Sequence, residues 1–221
     1  MWSAGPANVA PKVIATDMTT ISSSQVAAGQ RIGLLGGSFN PAHEGHLHIS
    51  NLALKILKLN EVWWLVSPQN PLKPEQGMAP LKDRLAHAKQ IAQSHQITAT
   101  DLEQELGTRY TVDTLAALKQ RFDGVNFVWL MGADNLLQID RWERWEQVFE
   151  TVPVAVFARP SYSDEAEKAK ASRQFARYRL DSERADELAE MSPPAWVFLK
   201  TPENPISATE IRIRGESPDD V

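Results

Sequence analysis

Six short apolar runs, at residues 31–36, 62–66, 97–100, 126–131, 152–158 and 196–199, are spaced along the chain with helical patterns between them. They read as continuous apolar stretches rather than as alternating apolar and polar residues. A strand buried on both faces produces such a run, and intervening helices are what parallel strands need for their crossovers. The pattern therefore constrains the chain to an α/β fold: a Rossmann-like, doubly wound parallel sheet in a single domain with a C-terminal helical part. The expected helices cover 44–58, 80–95, 112–122, 134–139 and 142–149, with a last one from about 207. Residues 163–190 are charged and helix-favouring, and read as a solvated, mostly helical excursion.

Composition narrows the function classes. The 221 residues carry a net charge of −5, which argues against a surface built to grip a nucleic-acid backbone. The chain has no cysteine, so a disulfide scaffold, a cysteine nucleophile and thiolate zinc ligation are excluded. No apolar run approaches the length of a membrane span, and the N-terminus lacks the charged start and apolar core of a signal peptide. The expectation is a cytoplasmic protein with neither nucleic acid nor membrane as partner. Residues 1–30, rich in Ala, Ser, Thr and Pro, read as a poorly ordered leader, and 31–214 as the folded domain with a tail at 215–221.

In an open parallel sheet, ligands bind beyond the carboxyl ends of the strands. The chemically notable residues stand at those ends. After the first run come Gly36, Gly37, Ser38, Phe39, Asn40, Pro41, Ala42, His43, Glu44, Gly45 and His46. This is strand, glycine turn and helix start, a junction that offers backbone N–H groups and a positive dipole end to an anion. Gly36 and Gly37 let the backbone approach a phosphate without a Cβ in the way. The pair alone suits any tight turn, and it is neither a dinucleotide fingerprint nor a P-loop. Two histidines three apart, with a glycine between, add more. No further His, Cys or Asp cluster stands beside them, so metal ligation is not expected and the imidazoles read as donors to a polyphosphate. After the second run come Asn70 and Lys73, in a loop that Pro68, Pro71 and Pro74 enforce. Gly132 and Asp134 follow the fourth run, and Arg159 follows the fifth. Far along the chain, Ser207 and Glu210 form a capping-box pattern, and Thr209 and Arg212 share the first turns of that helix. A helix N-terminus, two hydroxyls and a guanidinium suit the β- and γ-phosphates of a nucleotide.

Together, the segment from Gly36 to His46 and the segment Ile206, Ser207, Ala208, Thr209, Glu210, Ile211, Arg212 resemble the signature pair of the nucleotidyltransferase superfamily with the His-x-Gly-His motif. Pro68 to Lys73, Arg109 to Leu115, and Gly132 to Leu136 followed by Trp142 resemble its bacterial nicotinate-nucleotide adenylyltransferase branch. The resemblance implies transfer of AMP from ATP to nicotinate mononucleotide, with magnesium, giving deamido-NAD and pyrophosphate. The same transfer to nicotinamide mononucleotide or phosphopantetheine, or nucleotide binding without turnover, are the alternatives. By the resemblance, His43, His46 and Arg212 are catalytic. Gly36, Gly37, Ser38, Phe39, Gly132, Asp134, Ser207 and Thr209 join them around ATP. Asn70, Lys73, Tyr110, Thr111, Trp142 and Arg159 face the acceptor. Trp142 is either a ring that stacks on the pyridine or a core residue, and Lys73 either a phosphate contact or a solvated loop charge. A homo-oligomer is left open.

Overall fold

The computed structural model describes residues 21–69 and 77–201. Seven strands form one sheet: β1 (Arg31–Gly37), β2 (Glu61–Val66), β3 (Ile97–Thr100), β4 (Asn126–Gly132), β5 (Val154–Phe157), β6 (Arg179–Leu180) and β7 (Trp196–Leu199). Their order is β3-β2-β1-β4-β5-β7-β6, and each neighbouring pair is parallel. The helices are α1 (Glu44–Ile56), α2 (Leu81–Ile91), α3 (Leu102–Glu105), α4 (Thr111–Arg121), α5 (Ala133–Gln138), α6 (Trp145–Thr151), α7 (Ser163–Glu167) and α8 (Lys170–Gln174).

The continuous apolar runs make sense in this arrangement. Successive side chains of a strand point to opposite faces, and both faces are covered. Ile32, Leu34, Trp63, Leu65 and Trp129 pack on one face with residues of α4, α5 and α6. Leu35, Val62, Trp64, Leu130 and Phe157 pack on the other with residues of α1, α2 and the 3-10 segment Ser182–Glu190. Four tryptophans, Trp63, Trp64, Trp129 and Trp196, are at most 2% exposed. Each such ring removes about 150–250 Å² from water, which makes the indoles a dominant part of the core.

From β1 the chain moves outward through β2 to β3, then returns to the other side of β1 as β4. The order therefore reverses between β1 and β4, and the crevice at the carboxyl ends of those two strands is the expected ligand position. The turn after β1 and the Gly132–Asp134 segment after β4 are brought side by side there.

Some expectations are corrected. The leader does not reach residue 30 as a loose segment: Ile21 and Val26 pack against the core, and the Gly29 N–H donates to the Gly124 carbonyl at 2.7 Å. The 163–190 stretch is not simply a solvated helical excursion. It buries Ala166, Ala171, Phe175 and Leu188 and contributes β6 at the sheet edge. The short helix α3 has no counterpart among the expected elements. The expected helix at 80–95 is shorter, with Pro80 as its cap rather than its first turn. Residues 1–20, the tail and the helix from 207 lie outside the described residues, as do Asn70, Lys73, Ser207, Thr209 and Arg212.

The glycines of the β1 turn have distinct reasons. A Cβ on Gly36 would stand 2.3 Å from Cη2 of Trp129, a buried ring with nowhere to go. On Gly37 the nearest atom would be Phe39 Cε2 at 3.4 Å, an ordinary contact. Gly36→Ala is thus expected to lower stability by about 1–3 kcal/mol through overpacking, and Gly37→Ala by well under about 1 kcal/mol. Urea unfolding of the two variants measures this, and equal losses would contradict it.

Candidate active site at the β1–β4 crevice

The entrance to α1 is capped by its own histidines. His43 is the N-cap, with φ −157° and ψ 170°. Its Nδ1 accepts the Gly45 N–H at 3.1 Å, and Nδ1 of His46 accepts the His43 N–H at 3.2 Å. This is a reciprocal capping box in which imidazoles take the places usually held by Ser and Glu. It also fixes the tautomers. A neutral imidazole whose Nδ1 is an acceptor carries its proton on Nε2. Both rings therefore turn a donor, not an acceptor, away from the helix end. The rings lie against one another, centroids 3.9 Å apart, and His46 packs on Phe39 at 4.5 Å. Phe39, in the left-handed region at φ 46°, stacks in turn on Trp64 at 5.2 Å. Trp64 Nε1 donates to Ser50 Oγ, which donates to the His46 carbonyl, both at 2.8 Å. The imidazoles are thus held from the core side by an aromatic stack and a hydrogen-bond chain.

Of the expected ATP contacts, Gly36, Gly37, Ser38, Phe39, His43 and His46 form this one turn. Ser38 is buried and the Phe39 ring is 1% exposed, so Phe39 offers a ligand its main chain rather than its ring. Gly132, the N-cap of α5, and Asp134 lie across the crevice. A Cβ on Gly132 would stand 2.4 Å from Asp134 Oδ1 and 2.8 Å from Arg159 Cδ. The glycine lets the 3.5 Å Arg159–Asp134 ion pair form. Arg159, expected among acceptor contacts, is therefore paired with an expected ATP contact.

Of the other acceptor candidates, Tyr110, Thr111 and Trp142 lie on the Trp129 side. Tyr110 precedes Thr111 at the start of α4, and Asp113 in its first turn takes Arg144 Nη2 at 2.9 and 2.8 Å. Arg144 follows Trp142 by two residues, so this pair ties the start of α4 to the Trp142 segment. Trp142 is half-buried and meets Trp129 edge-on, centroids 6.3 Å apart. Trp129 is the ring that occupies the Gly36 position, so one indole separates Trp142 from the β1 turn. An open cavity of about 430 Å³, lined by Pro68, Gln69, Thr108 and Arg109, lies beside the start of α4. Among the described residues, no three His, Asp or Glu side chains converge as a metal cage.

Three residues at the site are not singled out by any motif: Trp129, Arg84 and Glu103. Arg84 is 3% exposed and bonded to loop carbonyls. A signal for it exists, since Leu81, Leu85 and Ala88 place Arg84 on the apolar face of α2. Glu103 sits on a helix of four residues, too short for any periodicity.

A parallel sheet with a capped helix at its switch point is an α/β arrangement suited to an anionic ligand, and comparison with known proteins gives the class. The family model described as cytidylyltransferase-like matches residues 34–214. The chain is 52% identical over 187 residues to a protein of Parvibaculum lavamentivorans named probable nicotinate-nucleotide adenylyltransferase, covering 85% of this chain and 93% of that one. It is 51% identical to a protein of the same name from Gluconobacter oxydans, covering 84% and 95%. The chain belongs to this cytidylyltransferase-like family, in its nicotinate-nucleotide adenylyltransferase branch. The fold is shared with Plasmodium falciparum nicotinic acid mononucleotide adenylyltransferase complexed with NaAD, at a TM-score of 0.62 and 18% identity over 83% of each chain.

Glu103 carries a pH dependence. It is 8% exposed, and burial raises its carboxyl to about 7, against the pull of hydrogen bonds with Ser67 and Thr114. The folded value lies above the ordinary 4.5, so between the two the folded chain holds a proton that the unfolded chain has lost. The unfolded state then binds fewer protons, and stability falls as pH rises. The contribution is whole below about pH 4.5 and is lost as the pH passes 7. Glu103→Gln should gain on the wild type by about 2 kcal/mol between pH 5 and pH 8. Denaturant melts at the two pH values check this, and a constant difference between the proteins would contradict it.

Proposed function

We propose that this chain transfers the adenylyl group of ATP to nicotinate mononucleotide, forming deamido-NAD and releasing pyrophosphate in NAD biosynthesis. The observation that carries this reading is the imidazole-capped helix start at the switch point, in a chain about half identical to proteins named for the reaction.

The acceptor is a phosphate monoester with a second pKa of about 6, so it is largely a dianion at neutral pH and needs no general base. One of its oxygens attacks the α-phosphorus of ATP. The bond from that phosphorus to the bridging oxygen breaks, and pyrophosphate leaves with the electron pair. The protein has to align the attack and neutralise the developing charge. Nε2–H of His43 and of His46 are suited to the second task because Nδ1 of each is already engaged. By family resemblance Ser207, Thr209 and Arg212 complete the phosphate clamp. Main-chain groups of Gly36, Gly37, Ser38 and Phe39 follow the triphosphate, while Gly132 and Asp134, with Arg159 beside it, face the nucleoside. Tyr110, Thr111 and Trp142, with Asn70 and Lys73, take the nicotinate mononucleotide, for which the adjoining cavity leaves room.

Family members use a divalent cation with ATP, and we assign magnesium. Hard cations of this kind keep waters and bind substrate phosphates rather than all-protein cages. Bound, it would offset charge on the phosphates. The expected compartment is the cytoplasm. Among the described residues no helix is long and apolar enough to cross a membrane.

Pyrophosphate release with ATP and each of nicotinate mononucleotide, nicotinamide mononucleotide and phosphopantetheine tests the reading. Turnover should be fastest with the first, and absence of turnover with all three would leave only a nucleotide-binding module. His46→Ala should lower kcat by about 10²–10³-fold, as removal of a preorganised donor does elsewhere, and cost about 1 kcal/mol of stability as a lost cap. Near-normal turnover in that variant would remove His46 from the chemistry.

A further inference from the structure

Arg84 is a buried cation whose partners among the described residues are main-chain carbonyls. Nε donates to the Ala79 carbonyl at 2.8 Å. Nη1 donates to the carbonyls of both Ser38 and Ser67, the latter at 2.8 Å, and Nη2 to that of Pro68 at 2.9 Å. These acceptors belong to three separate stretches: the turn after β1, the loop after β2, and the lead into α2. Burial lowers its pKa, and among the described residues its charge meets main-chain dipoles rather than a carboxylate. Satisfying four carbonyls does not require a charge. Burying one without an anion costs free energy that a neutral donor or a water would avoid. The guanidinium does supply what those lack, a rigid planar fork that fixes several acceptors at set spacings.

The spacing it fixes lies between the two halves of the proposed site. One nitrogen bonds the residue that follows Gly36 and Gly37 and the residue that follows β2. Those two stretches are joined again where the Ser67 N–H donates to the Gly37 carbonyl at 2.9 Å. Asn40 makes a parallel strut, donating to the Gly77 carbonyl at 3.0 Å and accepting the Ala79 N–H at 3.2 Å. Beyond Ser67, Pro68 and Gln69 border the cavity beside the start of α4.

We propose that Arg84 is a positioning residue that locks the β1 turn to the loop after β2, so that nucleotide bound at the turn raises the affinity of the acceptor site, and the acceptor does the same for nucleotide. The proposal rests on the reading of these two stretches as the ATP and acceptor sides of one site. Coupling of this kind is reciprocal by thermodynamic necessity. Both ligands bear on a single network with one favoured spacing, so ordering that spacing for one leaves less to order for the other.

The test is calorimetric titration of nicotinate mononucleotide with and without a non-hydrolysable ATP analogue, on the wild type and on Arg84→Lys. Lysine keeps the charge but loses the fork. In the wild type the analogue should tighten acceptor binding by about 5-fold or more. In folded Arg84→Lys that factor should fall to within about 2-fold of unity, and kcat/KM by about 10-fold or more, since small misplacements of reacting groups are costly. A purely structural arginine would lower Tm and leave the coupling factor alone. Wild-type coupling in the variant, or none in the wild type, overturns the proposal. Hydrogen exchange on the wild type gives a second reading should the variant not fold. The analogue alone should slow exchange of the Ser67 amide, and protection confined to residues 36–46 would again overturn it. A wild type that neither binds the analogue nor turns over would instead sink the functional reading. Turnover without coupling would remove only the role of Arg84.

Discussion

The site depends on two histidines acting as the cap of the helix that carries them. A helix start leaves unpaired N–H groups that side-chain oxygens ordinarily satisfy. Here His43 and His46 do so through Nδ1. One pair of bonds therefore performs two tasks, ending the helix and committing Nε2 of each ring to donation. Everything around the pair serves that orientation. Phe39 and Trp64 form the stack behind His46, and Ser50 ties the first turn of α1 to β2. On the proposed reading, donors fixed before any substrate arrives need little reorganisation when charge develops on a leaving pyrophosphate.

The rest of the crevice shows the same economy of close approach. Trp129 fills the space a side chain at Gly36 would need and supports Trp142 by its edge. Gly132 leaves room for Arg159 to reach Asp134. In both places the glycine is required by a neighbouring side chain seen in the fold, whatever it also allows a phosphate to do. Arg84 and Glu103 then bear on Ser67 from different sides, one through its carbonyl and one through its hydroxyl.

Much of the architecture was legible in the chain because burial on both faces leaves an unmistakable apolar run. The strands at 62–66, 97–100, 126–131 and 196–199 lie within one residue of where the pattern puts them at each end. The strand order was not legible, since nothing local records which strands become neighbours, and the switch point follows from that order. The edge strand β6 was hidden by charge: Arg179 belongs to it, yet its guanidinium lies over the Trp196 and Phe198 rings at 5.2 and 5.6 Å. A charged side chain whose stem covers apolar surface reads in sequence as solvated. At the site, the histidine pair at a helix entrance was visible. The reciprocal cap was not, because imidazole is not among the usual capping groups. The glycine at position 36 suggests phosphate approach in sequence, while its contact with Trp129 is long-range and leaves no local mark. Arg84 stood on an apolar helix face, a signal that was there to be weighed.

The central claim, that both imidazoles are Nε2–H donors held by their Nδ1 caps, is tested most directly by nitrogen NMR on protein labelled with 15N in histidine. His43 and His46 should each show an unprotonated Nδ1 and a protonated Nε2 at a pH where the rings are neutral, with assignments confirmed by His43→Asn and His46→Asn. A proton on Nδ1 of either ring would contradict the account.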